Sequence, residues 1–117
     1  IESVSVPTEK IFLGIGLFGL EWHQSDNGLF VGVEDDLTFK QVQSIIKNNT
    51  VEVIWDDGVK SSHFEYGNTG ERHTVWFESA QSVLARIDLA KELGVAGVAF
   101  WRLGAEDAGI WEGLRKP

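Results

Sequence analysis

Hydrophobic positions follow two rhythms along the chain. Ile11 to Phe18 and Val95 to Phe100 are short, nearly continuous apolar runs, the pattern of strands buried on both faces in a parallel sheet. Between them the spacing changes. Leu37-Thr38-Phe39-Lys40-Gln41-Val42 contains a capping box, Thr38 with Gln41, and a hydrophobic staple, Leu37 with Val42, so a helix should start there. Phe39, Val42, Ile45 and Ile46 make its apolar stripe, and Asn48-Asn49 end it. Val51 to Trp55 predicts a strand, Asp56-Asp57-Gly58 a turn, and His63 to Tyr66 a second strand. Gly67-Asn68-Thr69-Gly70 turns the chain into a third, Arg72 to Phe77. A helix is predicted over Gln81 to Leu93, capped by Ser79 or Ser82 and stopped by Gly94, with Val83, Leu84, Ile87 and Ala90 on one face. Ala108 to Arg115 reads as a short amphipathic helix through Ile110, Trp111 and Leu114.

The remaining segments predict connections. Ile1 to Lys10 reads as a connector, because Pro7 excludes a central strand position. Leu20 to Gly32 has no 3.6-residue period and carries Asp26-Asn27-Gly28, so it reads as a loop. The predicted order is strand, α+β unit, helix, strand, helix. This is an α/β class with two βα units, the first enlarged by an insertion in the loop that lies on the active-site face of a (β/α)8 barrel. Three sections follow: residues 1–36 as connector, strand and following loop; 37–78 as the α+β insertion; 79–117 as helix, strand and terminal helix.

Composition narrows the function classes. A chain of 117 residues that is 43% hydrophobic can bury the core of one domain. Its 10 basic and 18 acidic residues leave a formal charge of -8, which repels phosphate backbones and argues against nucleic acid. Five tryptophans and seven phenylalanines on an acidic background suit uncharged ligands such as sugars as well as ordinary cores. The absence of cysteine excludes disulfides and thiolate metal sites. The longest apolar run, Ile11 to Leu20, is broken by glycines and too short to span a bilayer. A start at Ile1, without methionine or a charged leader, suits an excised piece or a processed product.

Candidate chemistry concentrates after the second apolar run, where Trp101, Arg102, Glu106 and Asp107 stand at the C-terminal end of a predicted strand. Glu106-Asp107 is expected to cap the last helix, and Arg102 to pair with one of them or with a cleft carboxylate. Glu21 and Trp22 follow the first run and either line a cleft or stand in an exposed loop. Gly14-Ile15-Gly16-Leu17-Phe18-Gly19 satisfies G-x-G-x-x-G but opens no predicted helix, so no dinucleotide cofactor is expected. Asp35-Asp36 and Asp56-Asp57 read as a pre-helix segment and a turn. His23, His63 and His73 are too scattered for zinc, so no metal or cofactor is expected. No serine and histidine fall in a recognisable nucleophilic arrangement.

Three segments resemble glycoside hydrolase family 18. Residues Pro7 to Trp22 are similar to the family's seventh strand, usually P-x-x-K-I-x-L-G-I-P-L-Y-G-Y-D-W. His73 to Ser82 resembles the return from its insertion domain, H-x-V-W-F-E-D-A-x-S. Trp101-Arg102-Leu103-Gly104-Ala105-Glu106-Asp107 resembles the W-R-L-G-x-E-D that ends the eighth strand in its spore-cortex-lytic and cell-wall branch. Gly16 stands where the family usually has proline, Phe18 where it has tyrosine and Glu21 where it has aspartate.

This resemblance implies the C-terminal part of a (β/α)8 barrel from an enzyme that cleaves β-1,4 links beside N-acetylglucosamine in chitin or peptidoglycan-type glycans. In that family a glutamic acid ending D-x-x-D-x-D-x-E protonates the leaving oxygen, and the sugar's own N-acetyl group is the nucleophile. These 117 residues contain no such motif, so the chain alone is expected to be inactive. The resemblance assigns Trp101 to the floor of the sugar subsite, with Phe18, Trp22, Glu21 and Arg102 as further substrate-binding candidates. The implied partner is an N-acetylglucosamine-containing glycan, in a secreted, cell-wall or spore setting. Two strands cut from a barrel would also leave open edges, so the chain is expected to pair with another copy or to fold its insertion over them. The alternative function is a noncatalytic carbohydrate-binding or interaction module that kept the aromatic platform.

Overall fold

The computed structural model describes residues 5–68 and 70–116, with residues 30, 31, 34 and 35 described by their backbone alone. Residues 1–4 of the expected connector and Thr69 of the expected turn lie outside the described residues. A single turn of 3-10 helix, Thr8–Lys10, leads into strand β1 (Phe12–Gly16). Then follow β2 (Gly19–Ser25), β3 (Phe30–Leu37), helix α1 (Phe39–Asn48), β4 (Ile54–Asp56), β5 (Ser61–Asn68) and β6 (Glu71–Phe77). Helix α2 (Ala80–Leu93), β7 (Gly97–Trp101) and α3 (Gly109–Arg115) complete the chain.

The strands form two separate sheets. β1 and β7 make a two-stranded parallel pair in which Gly14 faces Ala99 and Gly16 faces Trp101. The other five are antiparallel in the order β3-β2-β6-β5-β4. Each sheet has its own core. Ile15 and Leu17 pack with Val83 and Ile87 of α2, Ile110 of α3 and the buried Ala105. Phe64, Val75 and Phe77 of the antiparallel sheet pack with Leu37 and with Val42 of α1.

Local chemistry sets the helix ends. The Thr38 hydroxyl accepts from Gln41 N at 3.1 Å while the Gln41 amide oxygen accepts from Thr38 N at 2.8 Å, so the capping box forms as expected. Ser79 caps α2 and Ser82 reciprocates, Ser82 Oγ accepting from Ser79 N at 2.8 Å. Gly94 ends α2 in the left-handed region at φ 65°, which a side chain would strain.

Several expectations need correction. The strand expected over Val51 to Trp55 is the shorter β4, so Asp56 belongs to the strand, and Asp35-Asp36, expected before the helix, lie in β3. The expected loop over Leu20 to Gly32 contains β2 and the start of β3, joined by a turn in which Ser25 N donates to the Leu29 carbonyl at 3.0 Å. The polar residues Glu21 and His23 occupy the inward face of β2, so apolar alternation cannot reveal that strand. The two apolar runs are also not buried on both faces. Leu13, Ile15, Val98 and Phe100 face the helices, whereas Phe12, Gly14, Ala99 and Trp101 are exposed, because α2 and α3 cover one side only. On the open side the Phe12 ring lies over Gly97, its cross-strand partner, 2.9 Å from where a Cβ would stand.

Asp107 joins the two helices of the first core. One carboxylate oxygen accepts from Ala80 N at 2.8 Å, at the start of α2, and the other from Gly109 N at 3.0 Å, at the start of α3. Both contacts satisfy amides that a helix cannot pair internally. Asp107→Ala should therefore cost about 1–2 kcal/mol of stability in urea unfolding, and Asp107→Asn less, since the amide keeps one acceptor.

Candidate functional site

Parallel pairing brings the ends of β1 and β7 side by side and leaves Trp101 at the mouth of the pair, 66% exposed. Trp101 is the last residue of its strand, and its carbonyl accepts from Leu17 N at 2.7 Å, so its backbone is held although its indole is free of the core. Phe18 folds its ring over Gly16, 3.0 Å from where a Cβ would stand, directly beside Trp101 in the strand register. A side chain at Gly16 would displace that ring. Gly16 and Phe18 also line a small cavity of about 140 Å³ with Leu20, Ser61, Trp76, Phe77 and Glu78.

Arg102 pairs with neither Glu106 nor Asp107. Its guanidinium meets Asp36 Oδ2 at 2.8 Å, across 66 residues of sequence, and both groups are exposed. Asp36 takes a left-handed backbone at φ 60°, uncommon for a residue with a side chain, just before α1. A further link runs beside it, from Phe39 N to the Ala105 carbonyl at 2.8 Å. The turn after β7 is thus tied to the end of β3 by one ion pair and to the first residue of α1 by one backbone hydrogen bond.

Glu106 organises that turn from within. Its carboxylate accepts from Gly104 N at 2.5 Å and from the Trp111 indole N–H at 3.3 Å. Its own backbone N–H holds the carboxyl below the usual glutamate range against the opposing cost of burial, with Gly104 N–H and the Trp111 indole lowering it further. Glu106 therefore shapes the loop that follows Trp101, and Asp107 does the capping.

Glu21 and Trp22 lie on a strand, not in an exposed loop, and alternation sends them to opposite faces of the sheet. Trp22 is half-buried, whereas Glu21 is only 4% exposed. Its carboxylate accepts the Tyr66 hydroxyl and stands 3.5 Å from His23 Nε2 and 3.3 Å from His73 Nδ1. This gathering corrects the view that the histidines are scattered. His23 and His73 are 50 residues apart in sequence but directly opposite in the β2–β6 register. The missed signal was a polar residue at every second position of a strand, Glu21 and then His23, which placed on an inward face requires partners. His63 is elsewhere, stacked on Trp76 with ring centroids 4.2 Å apart.

Comparison with known proteins adds the following. The family model described as glycosyl hydrolases family 18 matches residues 1–106. The chain is 29% identical over 105 residues to a cortical fragment-lytic enzyme of Bacillus anthracis, covering 85% of this chain and 23% of that protein. Among solved structures, the chitinase from Chromobacterium violaceum ATCC 12472 superimposes with a TM-score of 0.79 at 32% identity, over 96% of this chain and 35% of that one. A mutant GH18 chitinase from Cycas revoluta, in complex with (GlcNAc)4, does so with a TM-score of 0.69 at 27% identity, over 86% and 30%. The chain thus corresponds to between 23% and 35% of these proteins. No helix among the described residues is long and apolar enough to cross a membrane.

The lowered pKa of the Glu106 carboxyl makes its contribution to stability depend on pH. A carboxyl with a depressed folded value contributes stability that is complete above its unfolded value, 4.5, and is lost as pH falls through the lower folded one. In urea unfolding, wild type should exceed Glu106→Gln by a constant margin from neutral pH down to that value, and the margin should shrink below it. A margin that ignores pH would remove Glu106 as the cause.

Proposed function

Because this chain belongs to glycosyl hydrolases family 18, we propose that it is the C-terminal portion of a glycoside hydrolase acting on β-1,4-linked, N-acetylglucosamine-containing glycans of chitin or peptidoglycan type. In this reading β1 with its following elements and α2, then β7 with α3, are the last two βα units of a (β/α)8 barrel. The antiparallel sheet and α1 form the insertion between the first strand and its helix. The open face carrying Phe12, Gly14, Ala99 and Trp101 faces the barrel interior, and the rest of the barrel extends the free edges of β1 and β7. Association of those edges with a second copy is the other way to cover them.

The exposed indole of Trp101 at the C-terminal end of a parallel strand carries the proposal. An indole face stacks on the C–H face of a pyranose and holds the ring in one position for reaction at C1. Phe18 walls the same end of the strand pair. Arg102, held by Asp36, fixes the insertion against the floor, and Trp22 extends the aromatic surface along the sheet. Glu21 supports the wall from inside and does not meet the sugar. The general acid comes from the part of the enzyme outside these residues, since no D-x-x-D-x-D-x-E occurs among the 117. The cortex-lytic relative favours action at a spore or cell wall.

That missing motif also favours a second reading, a noncatalytic carbohydrate-binding or interaction module derived from the same fold. In both readings the chain binds glycan through Trp101 and hydrolyses none by itself. Calorimetric titration with (GlcNAc)4 should show binding to wild type and a loss of about tenfold or more in Trp101→Ala, the equivalent of about 1.4 kcal/mol. Equal affinities for the two proteins would overturn the assignment of Trp101. Release of reducing ends by the chain alone would overturn the division of labour, and full-length protein that binds but does not cleave would select the module.

A further inference from the structure

We propose that Glu21, His23 and His73 form a site for one divalent transition-metal cation of the zinc class on the inner face of the antiparallel sheet. The proposal is independent of the glycan reading. One ligand atom from each of the three residues lies within 4.8 Å of the other two. His23 Nε2 lies 3.5 Å from Glu21 Oε2 and His73 Nδ1 lies 3.3 Å from Glu21 Oε1, so each imidazole faces its own oxygen of one carboxylate, which would bind a cation through both. Tetrahedral zinc, with bonds of about 2.0–2.2 Å, spaces its ligand atoms about 3.3–3.5 Å apart.

Polar satisfaction points the same way. His23 Nε2 and His73 Nδ1 are buried and have no hydrogen-bond partner among the described residues, although Glu21 stands at ion-pair distance from both. The outer nitrogens have a carboxylate. Glu71 Oε1 is 3.3 Å from His23 Nδ1 and 3.7 Å from His73 Nε2. With its Nδ1–H directed to Glu71, the His23 ring turns a bare lone pair inward toward the Glu21 carboxylate, and the His73 ring stands across from it with Nδ1 on the same carboxylate. Three electron-rich atoms converging in a sheltered place repel one another unless a cation stands between them.

The surroundings are those of a built metal site. Glu71 acts as the outer carboxylate that directs the His23 imidazole and stands 3.7 Å from His73 Nε2, and the Tyr66 hydroxyl orients Glu21 by donating to Oε1. All three ligands stand on strands paired on both sides, β2 between β3 and β6, and β6 between β2 and β5. The histidine side chains keep 22% and 17% exposure, enough for an ion to enter and for a fourth ligand from solvent. Two imidazoles and a carboxylate select a borderline divalent ion over calcium or magnesium, which prefer all-oxygen shells. The cation would clamp β2 to β6.

The test uses the chain freed of metal by chelation and then titrated with zinc chloride, with cobalt(II) as the spectroscopic probe. One equivalent of zinc should bind and raise the unfolding temperature, and cobalt should give the visible bands of a low-coordinate site, bleached by zinc. His23→Asn and His73→Asn should each lose affinity by about a hundredfold, and Glu71→Gln by about 10–100-fold. His63→Gln, altered away from the cluster, should bind like wild type. Wild-type protein that gives neither heat, thermal shift nor cobalt bands overturns the proposal, as does binding unchanged in the His23→Asn/His73→Asn double variant. Stabilisation on acidification with no response to zinc would also overturn it, because protons would then bridge the cluster. The wild-type cobalt spectrum decides the matter even if a variant fails to fold.

Discussion

The seven residues from Trp101 to Asp107 brace the parallel pair and its helices and reach across to the antiparallel unit at two points. The Trp101 carbonyl takes the amide of Leu17, Arg102 takes Asp36, and the Ala105 carbonyl takes the amide of Phe39. Ala105 is 2% exposed in the core of the parallel pair, while its own carbonyl starts the helix that covers the antiparallel sheet. Asp107 then joins the beginnings of α2 and α3. The two hydrophobic cores have no residue in common, and this turn couples them together with Arg86 of α2, which donates to the Lys60 carbonyl at 2.8 Å. The exposed aromatic at its first position therefore has a held backbone beneath it.

Much of this was legible in the sequence because it depends on local chemistry. Reciprocal capping at Thr38 and Gln41, the glycine stop at residue 94 and the apolar stripe of α1 act within a few residues, and each appears where pattern predicts it. The strand β2 was not legible. It places Glu21 and His23 on the face that elsewhere carries Phe64, Val75 and Phe77, so hydrophobicity gives the wrong sign for that segment. What makes those polar positions tolerable is a partner 50 residues away, His73, and another on β5, Tyr66, neither of which is visible until the strands are paired. The partner of Arg102 was missed for the same reason. Asp36 is remote in sequence, whereas Glu106 and Asp107 are near but already engaged with backbone amides.

The two halves differ in how they use polarity. In the first core the charged side chains serve the backbone, as Glu106 and Asp107 do by receiving N–H groups. In the antiparallel sheet they serve one another, through the group of Glu21, Tyr66, His23, His73 and Glu71. This second arrangement is the more demanding, since each member loses its justification if a neighbour is removed. Its place at the centre of the sheet, on strands that are neither edge, keeps that interdependence rigid.

The neck of the antiparallel unit has a consequence for how such a molecule changes over evolutionary time. The chain leaves the parallel pair at Gly19 and returns at Phe77, and these points touch: a Cβ on Gly19 would stand 3.2 Å from that of Phe77. Everything between them is an excursion that closes on itself, as a peninsula joins the mainland by an isthmus. Material can be added or trimmed at its far shore while the ends of the parallel strands, and the coastline that bears Trp101, stay in place.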